Sequence, residues 1–389
     1  MSFLRKILVF VWLVFLLVTQ VSGARVNSGP SGFVQTRNTQ FVLNGSPFLF
    51  NGFNSYWLIH VAAQPSERYK ITNVFREAAA TGLSVCRTWA FSDGGDQALQ
   101  ISPGVYSEPV FQGLDFVISE AKKFGIHLIL SLSNNYHDFG GRPQYVSWAR
   151  AAGVSINGDD DFYTNSVVKG YYKNHIKKVL TRINTITRIA YKDEPTIMAW
   201  ELINEPRCQA DYSGKTLNGW VQEMASYLNL LTTDTFGTDF ISNNLIKEID
   251  FTTIHAYPDQ WVFGQSDRAQ MQFLLRWMTS HWTDSKNIVK KPLIFSEFGK
   301  SNRDAGYNIN VRDSFLNTVY TSIYNLAKNG GTIGGGLVWQ LLADGMEPYY
   351  DGYEIFLSRN LSTRNVIVQQ SNQMTALERI LIREGRWGH

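Results

Sequence analysis

Two glutamates, Glu205 and Glu297, stand where a chain places chemistry rather than packing. Each closes an apolar run of strand length, Ile197 to Pro206 (IMAWELINEP) and Pro292 to Gly299 (PLIFSEFG). A single acidic residue at a strand end is commonly a structural ion-pair partner. Two in equivalent positions, one of them flanked by Asn204 and Pro206, point to paired carboxylate work. Glycosidic bond cleavage needs a proton donor for the leaving oxygen and a second carboxylate across the sugar. With the carboxyls about 5 Å apart, the second attacks the anomeric carbon and configuration is retained. In this reading Glu205 is the acid/base and Glu297 the nucleophile. Arg87 and Tyr257 could keep Glu297 ionised through charge and hydrogen bonding. Asn204 could reach a sugar 2-hydroxyl, and Trp339 offers an apolar platform beneath a pyranose. His255 lies two residues before Tyr257, which puts both on one face of a strand. To donate, Glu205 must be protonated first, so a pKa raised toward the working pH and an acidic optimum are expected.

Seven apolar runs carry these residues: Phe48 to Tyr56, Gly82 to Phe91, Ile126 to Asn134, Ile197 to Pro206, Phe251 to Pro258, Pro292 to Gly299 and Gly335 to Leu342. Amphipathic, helix-like stretches separate them, among them Ile71 to Thr81, Gly113 to Phe124, Tyr171 to Tyr191, Leu217 to Leu231 and Val311 to Asn329. Such alternation requires crossover connections and a parallel sheet. Sustained over this length, it predicts an α/β fold of the TIM (β/α)8 type. The first strand–helix turn lacks a Gly-x-Gly-x-x-Gly fingerprint, which argues against a dinucleotide-binding sheet. The runs end in residues that a core would not choose: Arg87 and Trp89, Asn134 and Asn135, Asn204 and Glu205, His255 and Tyr257, Glu297, and Trp339. Barrel active sites are assembled from several strand ends on one face.

The set WELINEP, TIHAYPDQW, FSEFGK and GGLVWQ resembles glycoside hydrolase family 5, and NGFNSYW, RTWAFSDGG and NNYHDFGG narrow the likeness to plant endo-β-mannanases. The resemblance covers nearly all of the chain after its first residues. It implies retaining hydrolysis of internal β-1,4-mannosidic bonds in mannan, galactomannan and glucomannan, without a cofactor. Residue by residue, it implies Glu205 as acid/base, Glu297 as nucleophile, and Arg87, Asn204, His255 and Tyr257 as hydrogen-bonding support. Trp89 and Trp339 become sugar subsite residues, with Trp261 and Asn134 as further additions.

One departure from the resemblance concerns the wall. A barrel of this family has eight strands, and the fifth belongs between the Leu217 to Leu231 helix and a helical run before Ile249. Only TTDTFG lies in that interval, so the barrel is expected to lack its fifth strand, its fourth and sixth strands either pairing directly or leaving a strained fold. The rival readings are therefore a mannan-binding protein with impaired catalysis and a β-1,4-glucanase sharing the same motifs; transglycosylation is a further outcome of the same chemistry.

The other signals are weaker. Arg5 and Lys6 followed by ILVFVWLVFLLV and small residues at Ser22 to Ala24 form a secretory signal over residues 1–23, leaving 24–389 as one domain, soluble, extracellular or cell-wall, and monomeric. Sequons at Asn44 and Asn360 suit that route. Net charge of +3 is spread out and excludes a nucleic-acid surface, whereas 14% aromatic content suits sugar stacking. Cys86 reads as a buried free thiol in a strand rather than a partner of Cys208. His127, His137 and Asp138 match no zinc spacing, so no metal is expected. Tyr56 and Trp57 are read equally as cleft or packing residues, Trp277 and Trp282 as helix packing, and Lys173 to Arg188 as a solvated helix face.

Overall fold

The computed structural model describes residues 32–231 and 240–385; the secretory-signal reading and the TTDTFG connection lie outside them. All seven expected strands form: β1 Phe50–Asn54, β2 Val85–Trp89, β3 His127–Ser131, β4 Ile197–Glu201, β5 Thr252–Ala256, β6 Leu293–Phe298 and β7 Ile333–Val338. They make one seven-stranded sheet in the spatial order β5-β6-β7-β1-β2-β3-β4, with every pairing parallel. Most of their residues are buried, as expected for parallel strands covered on both faces.

The helices that follow the strands supply that cover: α1 Arg68–Ala80, α2 Glu108–Phe124, α3 Ser166–Leu180, α4 Lys215–Asn229, α5 Asp267–Asp284, α6 Ile309–Lys328 and α7 Leu361–Glu384. In α2 the buried residues Val110, Phe111, Leu114, Val117, Ile118 and Ala121 fall on one helical stripe. Helix starts follow local chemistry. The side chains of Asn165, Ser266 and Asn308 accept from first-turn amides of α3, α5 and α6, the capping that short polar side chains provide. The long helix expected over Tyr171 to Tyr191 stops at Leu180, and Asn184 then caps a tight turn through Ile186 N and Thr187 N. The expected helical run before Ile249 is a series of turns. Asn244 there donates to the Phe240 carbonyl at 2.9 Å, a local side-chain bond that competes with the helical ladder.

A three-stranded antiparallel sheet of Val34–Arg37, Gln40–Leu43 and Ser46–Pro47 covers the N-terminal end of the large sheet. Its Phe41 packs edge-on to Phe50 and Phe251, at the entries to β1 and β5. Packing of β7 against β1 is so close that a Cβ at Gly335 would lie 2.3 Å from the Phe50 carbonyl oxygen. Only glycine fits there. Cys86 and Cys208 are both free thiols, and Cys86 is buried in β2.

Among the described residues the sheet does not close. Among the described residues no backbone pairing joins β4 to β5, so the direct contact of flanking strands weighed above does not form. A cavity of about 440 Å³ occupies the gap, bordered by Glu201 and Glu205 on one side and Thr253, Ile254 and His255 on the other. Among the described residues no helix is long and apolar enough to cross a membrane.

Candidate active site

The C-terminal ends of the strands converge on Arg87. This guanidinium is essentially inaccessible, and every nitrogen is used. NH1 donates to Glu297 Oε1 at 2.5 Å and to Asn54 Oδ1 at 3.2 Å. NH2 donates to Glu201 Oε2 and to Asn204 Oδ1, each at 2.7 Å. Nε faces Glu201. Asn204 passes the order on, its Nδ2 donating to Asn134 Oδ1 at 3.0 Å.

Glu297 sits in β6 opposite His255, and a register irregularity creates that match. Ile254 pairs with Phe295 but His255 pairs with Glu297, so Ser296 is the additional residue. Bulges of this kind re-aim side chains beside active sites. The second Glu297 oxygen accepts from Tyr257 Oη at 2.7 Å. Burial pushes the Glu297 carboxyl above its ordinary value, and the charges of His255 and Arg87 with the Tyr257 hydroxyl pull against that rise. Tyr257 is itself pushed up by burial and by Glu297, so it stays a proton donor.

Glu205 follows β4 on a segment pinned to the end of β3. Asn204 N donates to Ser133 O at 2.9 Å, and Asn135 N to Asn204 O at 3.1 Å. Its backbone is left-handed, with φ of 46°. That conformation is unusual for a side chain with a Cβ, and it marks functional sites where surrounding structure enforces it. One Glu205 oxygen meets His255 Nδ1 at 2.8 Å and the other accepts from Tyr136 Oη at 2.8 Å. Burial raises this carboxyl, but His255, the Tyr136 hydroxyl and Arg207 outweigh burial and hold it at about 2. The expected upward shift of Glu205 is thus reversed in the free site. Burial lowers His255, while Glu297 and Glu205 lift it above 6.5. These opposite shifts favour a charged imidazole beside an ionised Glu205, one hydrogen bond apart. Oxygens of Glu205 and Glu297 and a ring nitrogen of His255 all lie within 4.8 Å of one another, close to the spacing that retention requires.

Aromatic rings border the two carboxylates. Trp339 stacks on Tyr56 with centroids 5.6 Å apart and planes 5° apart, and its Nε1 donates to Asp351 Oδ2 at 2.6 Å. Trp89 lies 6.4 Å from Trp339 and 4.9 Å from the Arg87 guanidinium carbon. Tyr56 therefore belongs with the cleft. Trp57 is fully buried, its Nε1 donating to the Leu341 carbonyl, and it serves packing.

All ten residues singled out in the sequence come to this end of the sheet, but not equally. Trp261 borders the gap cavity, edge-on to Trp277 at 5.2 Å. Trp277, read as helix packing, reaches the same cavity and donates to the His255 carbonyl at 3.2 Å. Trp282 lies under the Lys286 ammonium, in keeping with surface packing. His127 is buried against Phe48, while His137 and Asp138 are exposed. Three partners escaped the sequence reading: Glu201, Tyr136 and Asp351. Glu201 had a signal, since it lies four residues before Glu205 in an apolar run. Tyr136 follows the Asn pair directly, and Asp351 had none.

The family model described as GH family 5 beta-mannosidase-like matches residues 31–346. A mannan endo-1,4-beta-mannosidase 5 of Solanum lycopersicum is 61% identical over 412 residues, covering 98% of this chain and 100% of the relative. A mannan endo-1,4-beta-mannosidase 7 of Arabidopsis thaliana is 50% identical over 377 residues, covering 90% of this chain and 88% of the relative. Among solved structures, the endo-beta-1,4-mannanase of Thermotoga petrophila superposes with a TM-score of 0.74 at 29% identity, covering 86% of this chain and 78% of that one. The family 5 mannosidase of Rhizomucor miehei gives a TM-score of 0.79 at 20% identity over 90% of this chain and 99% of that one, a likeness of fold.

Proposed function

This chain belongs to the β-mannosidase-like branch of glycoside hydrolase family 5, and from that membership we propose that it cleaves internal β-1,4-mannosidic bonds of mannan, galactomannan and glucomannan with retention of configuration. The observation that carries the mechanism is the meeting of Glu205, His255 and Glu297 within 4.8 Å.

In the first step Glu297 attacks the anomeric carbon, a C–O bond forming as the bond to the leaving oxygen breaks. Tyr257 and Arg87 hold one Glu297 oxygen each, which fixes the line of attack. Glu205 gives a proton to the leaving oxygen. Since that proton rests on His255 Nδ1 in the free site, it moves to Glu205 as the leaving group arrives, and the two side chains titrate as one unit. In the second step the pair takes a proton from water, whose oxygen displaces Glu297 from the sugar. Trp339 on Tyr56, flanked by Trp89, is the platform for the ring undergoing reaction.

The open sheet is read as a TIM barrel without its fifth strand. The 61% identical relative supports this: its alignment spans 412 positions against the 389 residues here, so at least 23 positions have no counterpart in this chain. The catalytic groups lie outside the lost interval. The apolar run before Ser22 and the sequons support a secreted, glycosylated enzyme acting in the cell wall.

The test is release of reducing ends from galactomannan by the secreted protein and by Glu297→Ala. Activity on mannan exceeding that on cellulose, and abolished in the variant, supports the reading. A folded wild type with no turnover refutes it and leaves binding alone.

A further inference from the structure

Arg87 has a firmer anchor than the nucleophile. Glu297 receives only NH1, whereas Glu201 receives Nε at 3.1 Å and NH2 at 2.7 Å on the same oxygen. Two nitrogens of a rigid planar fork directed at one carboxylate fix the orientation of the whole group. Glu201 is in turn hydrogen-bonded by the Ser131 hydroxyl from the neighbouring strand. A single buried guanidinium thus lies between two carboxylates, and only one of them reacts.

Catalysis makes that asymmetry matter. When the C–O bond between Glu297 and the anomeric carbon forms, and the proton from Glu205 leaves with the departing oxygen, Glu297 becomes a neutral ester. An Arg87 paired with Glu297 alone would then be a buried charge without a counter-charge, an arrangement that proteins avoid. Glu201 takes no part in bond making and stays paired with the guanidinium, held by two Arg87 nitrogens and the Ser131 hydroxyl. It also takes up part of the Arg87 charge before the attack, which leaves the Glu297 oxygen freer to act as a nucleophile.

We propose that Glu201 is a positioning residue that holds Arg87 by a two-nitrogen ion pair, keeping the guanidinium aimed and neutralised while Glu297 is esterified. The proposal rests on Glu297 being the nucleophile.

The experiment uses the full chain on galactomannan with Glu201→Gln, Glu201→Asp and Glu201→Ala. Glu201→Gln is expected to lower kcat about ten- to a hundredfold, the scale of one charged hydrogen-bonding partner, with KM within about twofold. The acid limb of kcat/KM, which reports Glu297 ionisation, moves to lower pH because Arg87 then spends its whole charge on Glu297. The other groups facing Glu297 are unchanged: His255 and Tyr257 from β5 and Glu205 beyond β4. Glu201→Asp recovers part of kcat. Glu201→Ala recovers it with added formate, which reaches the site through the 440 Å³ cavity that Glu201 borders. If Glu201→Gln does not fold, the Asp variant and the formate arm carry the decision. Wild-type kcat in Glu201→Gln overturns the inference, as does a kcat loss with an unmoved acid limb and no formate recovery. A folded wild type that hydrolyses no mannan overturns the Glu297 assignment and this inference together, whereas an active wild type matched by Glu201→Gln overturns this inference alone.

Discussion

Replacing His255 with asparagine should change how the enzyme depends on pH far more than how it folds. In the wild type the proton needed by the leaving oxygen belongs to the Glu205–His255 pair, whose imidazole is lifted above 6.5. The pair therefore still holds that proton around pH 6. Asparagine keeps a polar side chain at the position but has no titrating nitrogen. Glu205 then titrates alone: the pull of His255 is gone, so burial raises it from about 2 against Tyr136 and Arg207. A lone carboxyl holds much less of that proton at pH 6 than an imidazole does, and the difference shrinks toward pH 4. Ordinary histidine and glutamate values differ by about two units, so the expected loss in kcat/KM is on the order of tenfold or more at pH 6 and small at pH 4, with the basic limb displaced downward. Initial rates of reducing-end release across pH 3.5 to 8, on protein whose melting temperature is checked at each pH, give the answer. Equal losses at pH 4 and pH 6 would show that His255 serves geometry alone and would refute the shared-proton argument.

Two further expectations follow from the same geometry. Glu205 is depressed on folding from 4.5 to about 2, so its contribution is present above pH 4.5 and fades as pH falls toward 2; on the order of 3 kcal/mol is at stake. His255 is raised, so its contribution is complete below pH 6.5 and fades as pH climbs through its folded value; chemical denaturation should show greatest stability between pH 4.5 and 6.5, and a wild type whose stability keeps rising past pH 8 would contradict it. Trp339→Ala removes the ring stacked on Tyr56 and frees Asp351, and a drop in kcat/KM of about ten- to a hundredfold is expected, the worth of one large apolar surface; an effect under threefold would remove Trp339 from the sugar platform.

The parts that sequence made legible share one property: they repeat with the geometry of strands. Apolar runs ending in polar side chains gave all seven strands and brought Arg87, Asn204, Glu205, His255, Tyr257 and Glu297 to one face. What remained hidden was set by contacts between distant segments. Asp351 reaches Trp339 from a loop beyond it, and Tyr136 reaches Glu205 across 69 positions of chain. Trp277 was placed correctly in a helix, but a helical position says nothing about a gap in the wall it will face. The direction of the Glu205 shift was misjudged for a similar reason. Burial alone argues upward, and contacts from distant segments, His255 at 2.8 Å first and then Tyr136 and Arg207, reverse it. The length of α3 failed locally instead, because Asn184 captures amides that the helix would have used.

The sheet that stops at β4 and begins again at β5 can be viewed as a split ring. From Glu205 to His255 along hydrogen-bonded strands, the path runs through all six pairings of the sheet. Across the mouth of the ring, among the described residues, it is one 2.8 Å contact between these two side chains. In a closed barrel the spacing of acid and nucleophile is set on both sides. Here it is set by the spring of one long arc, by the clasp at its ends and by Arg87, which holds Glu297 and Asn204 from within. Flexing of that arc changes the jaw without breaking any strand pairing, so warming should disarm the enzyme before it melts. Long substrates that bridge the mouth would tighten the jaw as they bind.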